Sequence, residues 1–210
     1  MSVVWILLAI CVIGLIVYFV GKLAVVTFSL ALCIFLGGCV PNLHNMIDPA
    51  YGNTIAYAGW TDDERIYENA LNKDILQERD GVHYPVFKMD TFEEFERFKS
   101  DYNDVFTMNQ GYDNVLSVND TLKKAQWDRA IFYEEHTLLA IYVPANSGSL
   151  RFYVCDVQTE NETFHVFVMQ EESKVNTADM AGWLIFMEIK DEEVAEYKYF
   201  NANLSQVFIE

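Results

Sequence analysis

Hydrophobic and polar positions divide this chain sharply. Two apolar runs open it, Val3 to Val20 and Leu23 to Gly38, separated only by Gly21 and Lys22. Neither has a polar face, so neither reads as an amphipathic helix lying on a soluble core. At about 1.5 Å per residue the first run would make a helix about 27 Å long, close to the thickness of a bilayer core. Beyond Cys39 the pattern changes. Residues 40–60 carry Pro41, Pro49, Gly52, Asn53 and Gly59 without sustained periodicity, which predicts a tether.

From Thr61 the chain reads as a folded domain. Thr61 and Glu64 have capping-box spacing, and Ile66, Ala70, Leu71 and Ile75 follow at helical intervals, predicting a helix to about Gln77. Tyr84 to Met89 predicts a short strand. Thr91 and Glu94 repeat the capping-box spacing ahead of Phe92, Phe95 and Phe98, an aromatic stripe on one face of a helix ending near Tyr102. A further helix is expected from about Asp120 to Gln126, and a turn at Ile131 to Glu135. Four strands then follow: Leu138 to Val143, Leu150 to Val157, Phe164 to Met169 and Trp183 to Ile189. Asn146-Ser147-Gly148-Ser149 and Glu160-Asn161-Glu162 are turn chemistry, and such short links favour antiparallel neighbours. The expected fold class is α+β, with helices early and a mostly antiparallel sheet late.

Composition sharpens this division. With 52% hydrophobic and 15% aromatic residues the chain can fill a core, so a disordered polymer is excluded. Lys22 is the only charged residue before position 39, which leaves 13 basic against 31 acidic residues on 39–210, a net charge of −18. Nucleic-acid binders place Lys and Arg on phosphates, so no nucleic-acid partner is expected.

The second apolar run ends in Leu36-Gly37-Gly38-Cys39, followed by Val40-Pro41-Asn42. Small residues admit the backbone to a peptidase cleft, and a thiol just beyond them can accept a diacylglyceryl group. The segment resembles a bacterial lipoprotein signal, which implies lipidation of Cys39 and attachment to a membrane. Two arrangements accommodate the first run. Initiation near Val20 would give a compact leader, or both runs form a helical hairpin with Lys22 in its cytoplasmic turn. A cysteine standing by chance at the end of a membrane helix is the plain alternative. Lipid anchor and hairpin alike put residues 40–210 outside the cytoplasm. Of the four cysteines, at 11, 33, 39 and 155, only Cys155 remains for the exported domain if Cys39 is lipidated, so no internal disulfide is expected.

Three segments of the domain carry a second resemblance. They are Trp127-Asp128 through Ile131-Phe132-Tyr133-Glu134-Glu135 into Leu138–Val143, the turn Ser147-Gly148-Ser149-Leu150-Arg151, and Thr177-Ala178-Asp179-Met180-Ala181-Gly182-Trp183. Tyr84 to Ile189 is similar to small secreted or lipid-anchored bacterial proteins, mostly of Firmicutes. It resembles the C-terminal domain of the PrcB-type lipoprotein of a spirochaete protease complex. That likeness implies a non-catalytic domain that associates with another exported protein. The usual Gly-rich turn after the first strand is replaced here by Pro144-Ala145-Asn146.

Candidate chemistry is sparse. Ser147 and Ser149 flank a glycine, but Gly-x-Ser-x-Gly is absent and no orienting acid is identifiable by spacing for His83 or His136. An exported serine hydrolase, with Ser147 or Ser149 as nucleophile and His136 as base, is therefore one alternative reading, and a subunit of a membrane complex anchored by the helical hairpin is the other. No zinc spacing, twelve-residue calcium loop or phosphate-binding glycine loop occurs, so no cofactor or metal is expected. Arg151 stands alone between Arg129 and Lys174 on a predicted strand. It is expected to hold a carboxylate such as Asp179, or else a partner's carboxylate, with Ser147, Ser149 and Trp183 beside it.

Overall fold

A computed structural model describes residues 53–76, 81–171 and 177–205. The apolar leader, Cys39 and the first part of the expected tether lie outside the described residues. Among the described residues no helix is long and apolar enough to cross a membrane.

Among the described residues eight strands form two four-stranded sheets. The first has the order β1-β7-β4-β3 and the second β2-β8-β6-β5. In chain order the strands are β1 Asn53–Tyr57, β2 His83–Tyr84, β3 Val86–Met89, β4 His136–Ala145, β5 Arg151–Glu160, β6 Thr163–Glu171, β7 Ala181–Lys190 and β8 Tyr199–Leu204. Helices α1 Glu64–Glu68, α2 Phe92–Tyr102, α3 Val118–Lys124 and α4 Asp191–Val194 complete it, with a 3-10 turn at Ala130–Glu134. All pairings are antiparallel except β6 with β8, which is parallel. The chain is α+β.

Strands β4 and β7 read as continuous apolar runs because both of their faces are covered. Leu139, Ile141, Val143, Trp183, Ile185 and Met187 face the second sheet, together with Phe152, Val154, Phe164, Val166 and Val168. The intervening Leu138, Ala140, Tyr142, Leu184 and Phe186 meet the helices through Phe95, Phe98, Tyr102 and Phe106. The period of two thus sorts one strand's side chains between two cores. Strand β6 has one covered face only. Its alternation of buried Phe164, Val166 and Val168 with half-exposed Thr163, His165 and Phe167 follows from that.

Helix α2 forms as its sequence predicts. Thr91 caps it by accepting from the Glu94 amide, and Glu94 Oε2 reaches back to the Asp90 amide at 2.8 Å. The Asn161-Glu162 turn is also as expected: both residues have positive φ, the geometry of a two-residue hairpin between β5 and β6.

Several boundaries differ from the sequence reading. Residues 53–57, placed in the tether, form β1 and pair along β7, with Ala56 and Ala58 fully buried. The folded region therefore includes residues from Asn53, not only from Thr61. The first helix stops at Glu68 because Leu71 and buried Asn72 are drawn to β3. The Leu71 amide donates to Val86 O, while Asn72 donates to Tyr84 O and accepts from the Val86 amide. Its N-cap is Asp63, whose Oδ1 accepts from the Arg65 amide, while Thr61 Oγ1 accepts from the Asp63 amide. Tyr84–Met89 is two strands, since Pro85 lacks an amide for the ladder and marks the corner where the chain passes between sheets. The Asn146–Ser149 link is not a hairpin turn: β4 and β5 lie in different sheets, and the link crosses between them. Strands also precede the helices, so the helices-then-strands order does not hold.

Candidate functional site

The sequence-predicted site residues meet where that crossover ends. Ser147 is buried, and its Oγ lies 2.9 Å from Ser149 Oγ and 3.0 Å from Thr177 Oγ1. The Thr177 amide donates to Ser149 Oγ at 3.4 Å, and the Gly148 amide donates to the Asp179 carbonyl at 2.9 Å. Glycine is required between the serines because a Cβ at Gly148 would sit 2.6 Å from the Tyr112 hydroxyl oxygen and against the Asp179 carboxylate. The Ser-Gly-Ser signal is therefore one of close packing.

Arg151 does not hold Asp179. Its Nη2 pairs with Asp113 Oδ2 at 3.3 Å, and its Nη1 donates to the carbonyls of Gly148 at 2.7 Å and Leu150 at 3.1 Å. The guanidinium also lies 4.8 Å from the ring centroid of Trp183, which is fully buried. Asp179 instead accepts from the Tyr112 hydroxyl at 2.5 Å. The neighbouring Thr177 and the hydrogen bond from Tyr112 hold its carboxyl below its ordinary value, and the Asp179 bond in turn raises the Tyr112 phenol. Tyr112 and Trp183 both pack on Tyr57 of β1, with centroid distances of 5.1 and 5.4 Å.

The five predicted residues thus come together, but as a clasp around the 109–117 loop, whose turn signals at Asn109 to Asn114 mark it in the sequence without pointing to a site. Asp113 and Tyr112 belong to the 109–117 loop, and Arg151 and Asp179 grip it from two sides. Adjacent Tyr112 and Asp113, opposite a lone Arg and a Tyr-accepting carboxylate, were the available signal. Asp179 stabilises the fold when ionised. Because its folded pKa is lowered, that contribution is present above the unfolded carboxylate range and fades as pH falls through the folded value. The destabilisation caused by Asp179→Asn should therefore be largest at neutral pH and shrink on acidification, as read from urea midpoints at several pH values. A penalty independent of pH would contradict the clasp.

The hydrolase constellation is not assembled. His136 opens β4 and Ser147 follows its far end, a strand of ten residues and roughly 30 Å away. His136 Nε2 lies 3.6 Å from Glu188 Oε1, and its ring stacks on Phe132. His83 Nδ1 is 3.4 Å from Asn201 Oδ1. Cys155 is buried at a β-bulge, and burial raises its thiol pKa. Among the described residues no three His, Cys, Asp or Glu side chains are placed to hold a metal ion.

No family model, curated protein or solved structure matches this chain.

Proposed function

We propose that this chain is a non-catalytic accessory domain of the cell envelope, held to the membrane through its apolar leader or a lipid on Cys39. It works outside the cytoplasm by associating with another exported protein. The observation that carries this reading is the sharp boundary at Leu36-Gly37-Gly38-Cys39, with one charged residue before it and a net charge of −18 after it. An acidic domain is repelled by an anionic bilayer surface, so a tether followed by such a domain suits a module that stands clear of the membrane. The likeness to the PrcB-type domain supports association with a protein partner. The clasp of Arg151 and Asp179 supports it too, because it spends these groups on positioning a loop rather than on chemistry.

Intact cells expressing the full chain, treated with a membrane-impermeant amine reagent, test this placement. Lysines such as Lys198, whose side chain is 66% exposed, should be modified without lysis or after removal of the outer wall layers alone. Modification only after the cytoplasmic membrane is broken would overturn the reading.

A further inference from the structure

A sheet edge with free backbone groups invites another strand, and the edges here are managed unequally. Strand β5 is blunted by its bulge at Cys155, and Asp156 Oδ1 accepts from the Val157 amide at 2.9 Å. Strand β3 is covered at its start, where Val86 O accepts from Leu71. Strand β1 is different. The Ala58 amide donates to Gly182 O on the β7 side, while the Tyr57 amide points the other way and donates to Leu116 O. Backbone direction alternates along a strand, so the amide and carbonyl of Ile55 also face outward. Among the described residues they have no backbone partner there.

These groups open on a cleft of about 380 Å³ between β1 and α3. Ile55, Val115 and Leu116 give it apolar walls, and Leu116 is 39% exposed. Thr121 borders it from α3 and is 1% exposed, and among the described residues its buried hydroxyl oxygen has no hydrogen-bond partner. A buried orphan hydroxyl is costly, and a donor or acceptor arriving in the cleft would relieve it. Lys124 lines the same cleft, exposed, with Lys123 beside it. Among the described residues neither has a carboxylate within ion-pair distance. Lys124 is thereby available to a carboxylate from outside the chain, which sets the sign of what fits.

We propose that the cleft between β1 and α3 binds a short extended peptide segment of a protein partner, added as a strand to the free edge of β1 at Ile55. Its carboxylate meets Lys124. This rests on the accessory-domain reading and names the surface that would carry it. The segment's backbone pairs with Ile55, its apolar side chain fills the space between Val115 and Leu116, and the carboxylate is a C-terminus or an acidic side chain. The clasp then has a purpose: Tyr112 and Asp113 fix the loop that supplies Val115 and Leu116. The bound strand is short, because Leu116 already occupies the edge at Tyr57.

The test is selection from a random eight-residue peptide library with free C-termini, using the full chain in detergent. The expected peptides alternate apolar residues and carry a carboxylate. Their binding should slow hydrogen exchange at the Ile55 amide. Lys124→Glu should weaken them about five- to tenfold. Thr121→Val, which removes an unpaired hydroxyl and keeps the side-chain shape, should leave the fold intact and also weaken them. Amidation of the peptide C-terminus separates a terminal carboxylate from an acidic side chain. Basic peptides, failure to recover any peptide, or binders indifferent to Lys124→Glu would overturn the cleft. The accessory-domain reading is judged separately, by labelling on intact cells.

Discussion

Phe95→Ala is expected to lower the unfolding free energy of the domain by about 3–5 kcal/mol. Phe95 is fully buried, stacks on Phe92 at 5.9 Å, meets Tyr133 in a tilted contact at 5.6 Å, and has the Lys99 ammonium 5.2 Å from its ring centroid. It belongs to the layer where α2 covers β4 and β7. Removing the ring forfeits its transfer free energy and leaves a cavity that two sheet strands and a helix cannot close. Domains of this kind are held by about 5–15 kcal/mol, so the variant should lose a large share of that margin. Phe92→Ala, at a half-buried position on the same face, should cost less. Urea midpoints for both variants check this. A loss below about 1 kcal/mol at Phe95 would mean that the stripe is not packed on the sheet.

That stripe was legible because three aromatics at helical spacing behind Thr91 and Glu94 satisfy capping and packing together. The strands from Leu138 onward were legible for a related reason. Continuous apolar runs and clean alternation each report how many faces of a strand are covered. Strand β1 was not legible. It is five residues long between Gly52 and Gly59, and its partner β7 lies near the other end of the chain, so no local signal marks it. Strand β8 was missed because Asn201 and Asn203 interrupt its apolar pattern, and its parallel pairing with β6 is a tertiary outcome. Alternation also cannot say which sheet a strand joins, which is why the Ser-Gly-Ser link looked like a hairpin. The candidate site was half legible. Ser147, Ser149, Arg151, Asp179 and Trp183 do converge, yet the sequence could not show that Arg151 selects Asp113 and leaves Asp179 to Tyr112.

Cys39→Ala is the second variant with a large expected effect. In the lipid-anchor arrangement the mature chain begins at Cys39 with a diacylglyceryl group on its thiol and, where a third chain is added, an acyl group on its new amino terminus. Each buried methylene contributes about 0.8 kcal/mol, so two or three chains hold the protein stably without a membrane helix. The substitution removes the acceptor thiol. Lipid transfer should stop, and so should the cleavage that depends on it, leaving an unprocessed chain held by its own leader. The hairpin arrangement gives the opposite expectation, since neither run of apolar residues contains position 39 and the variant should differ only by the mass of the side chain. Membrane fractions from parent and variant, compared by electrophoretic mobility, separate the two.

Of the two attachments we propose the lipid on Cys39, in preference to a retained hairpin, with the acidic domain held outside. Intact mass of the native protein extracted from membranes, combined with labelling by radioactive palmitate, tests it most directly. The expected result is a labelled chain whose mass equals residues 39–210 plus a diacylglyceryl group, with or without a third acyl chain on the amino terminus, and with the label lost in Cys39→Ala. An unlabelled chain with the mass of the full translation product would contradict it.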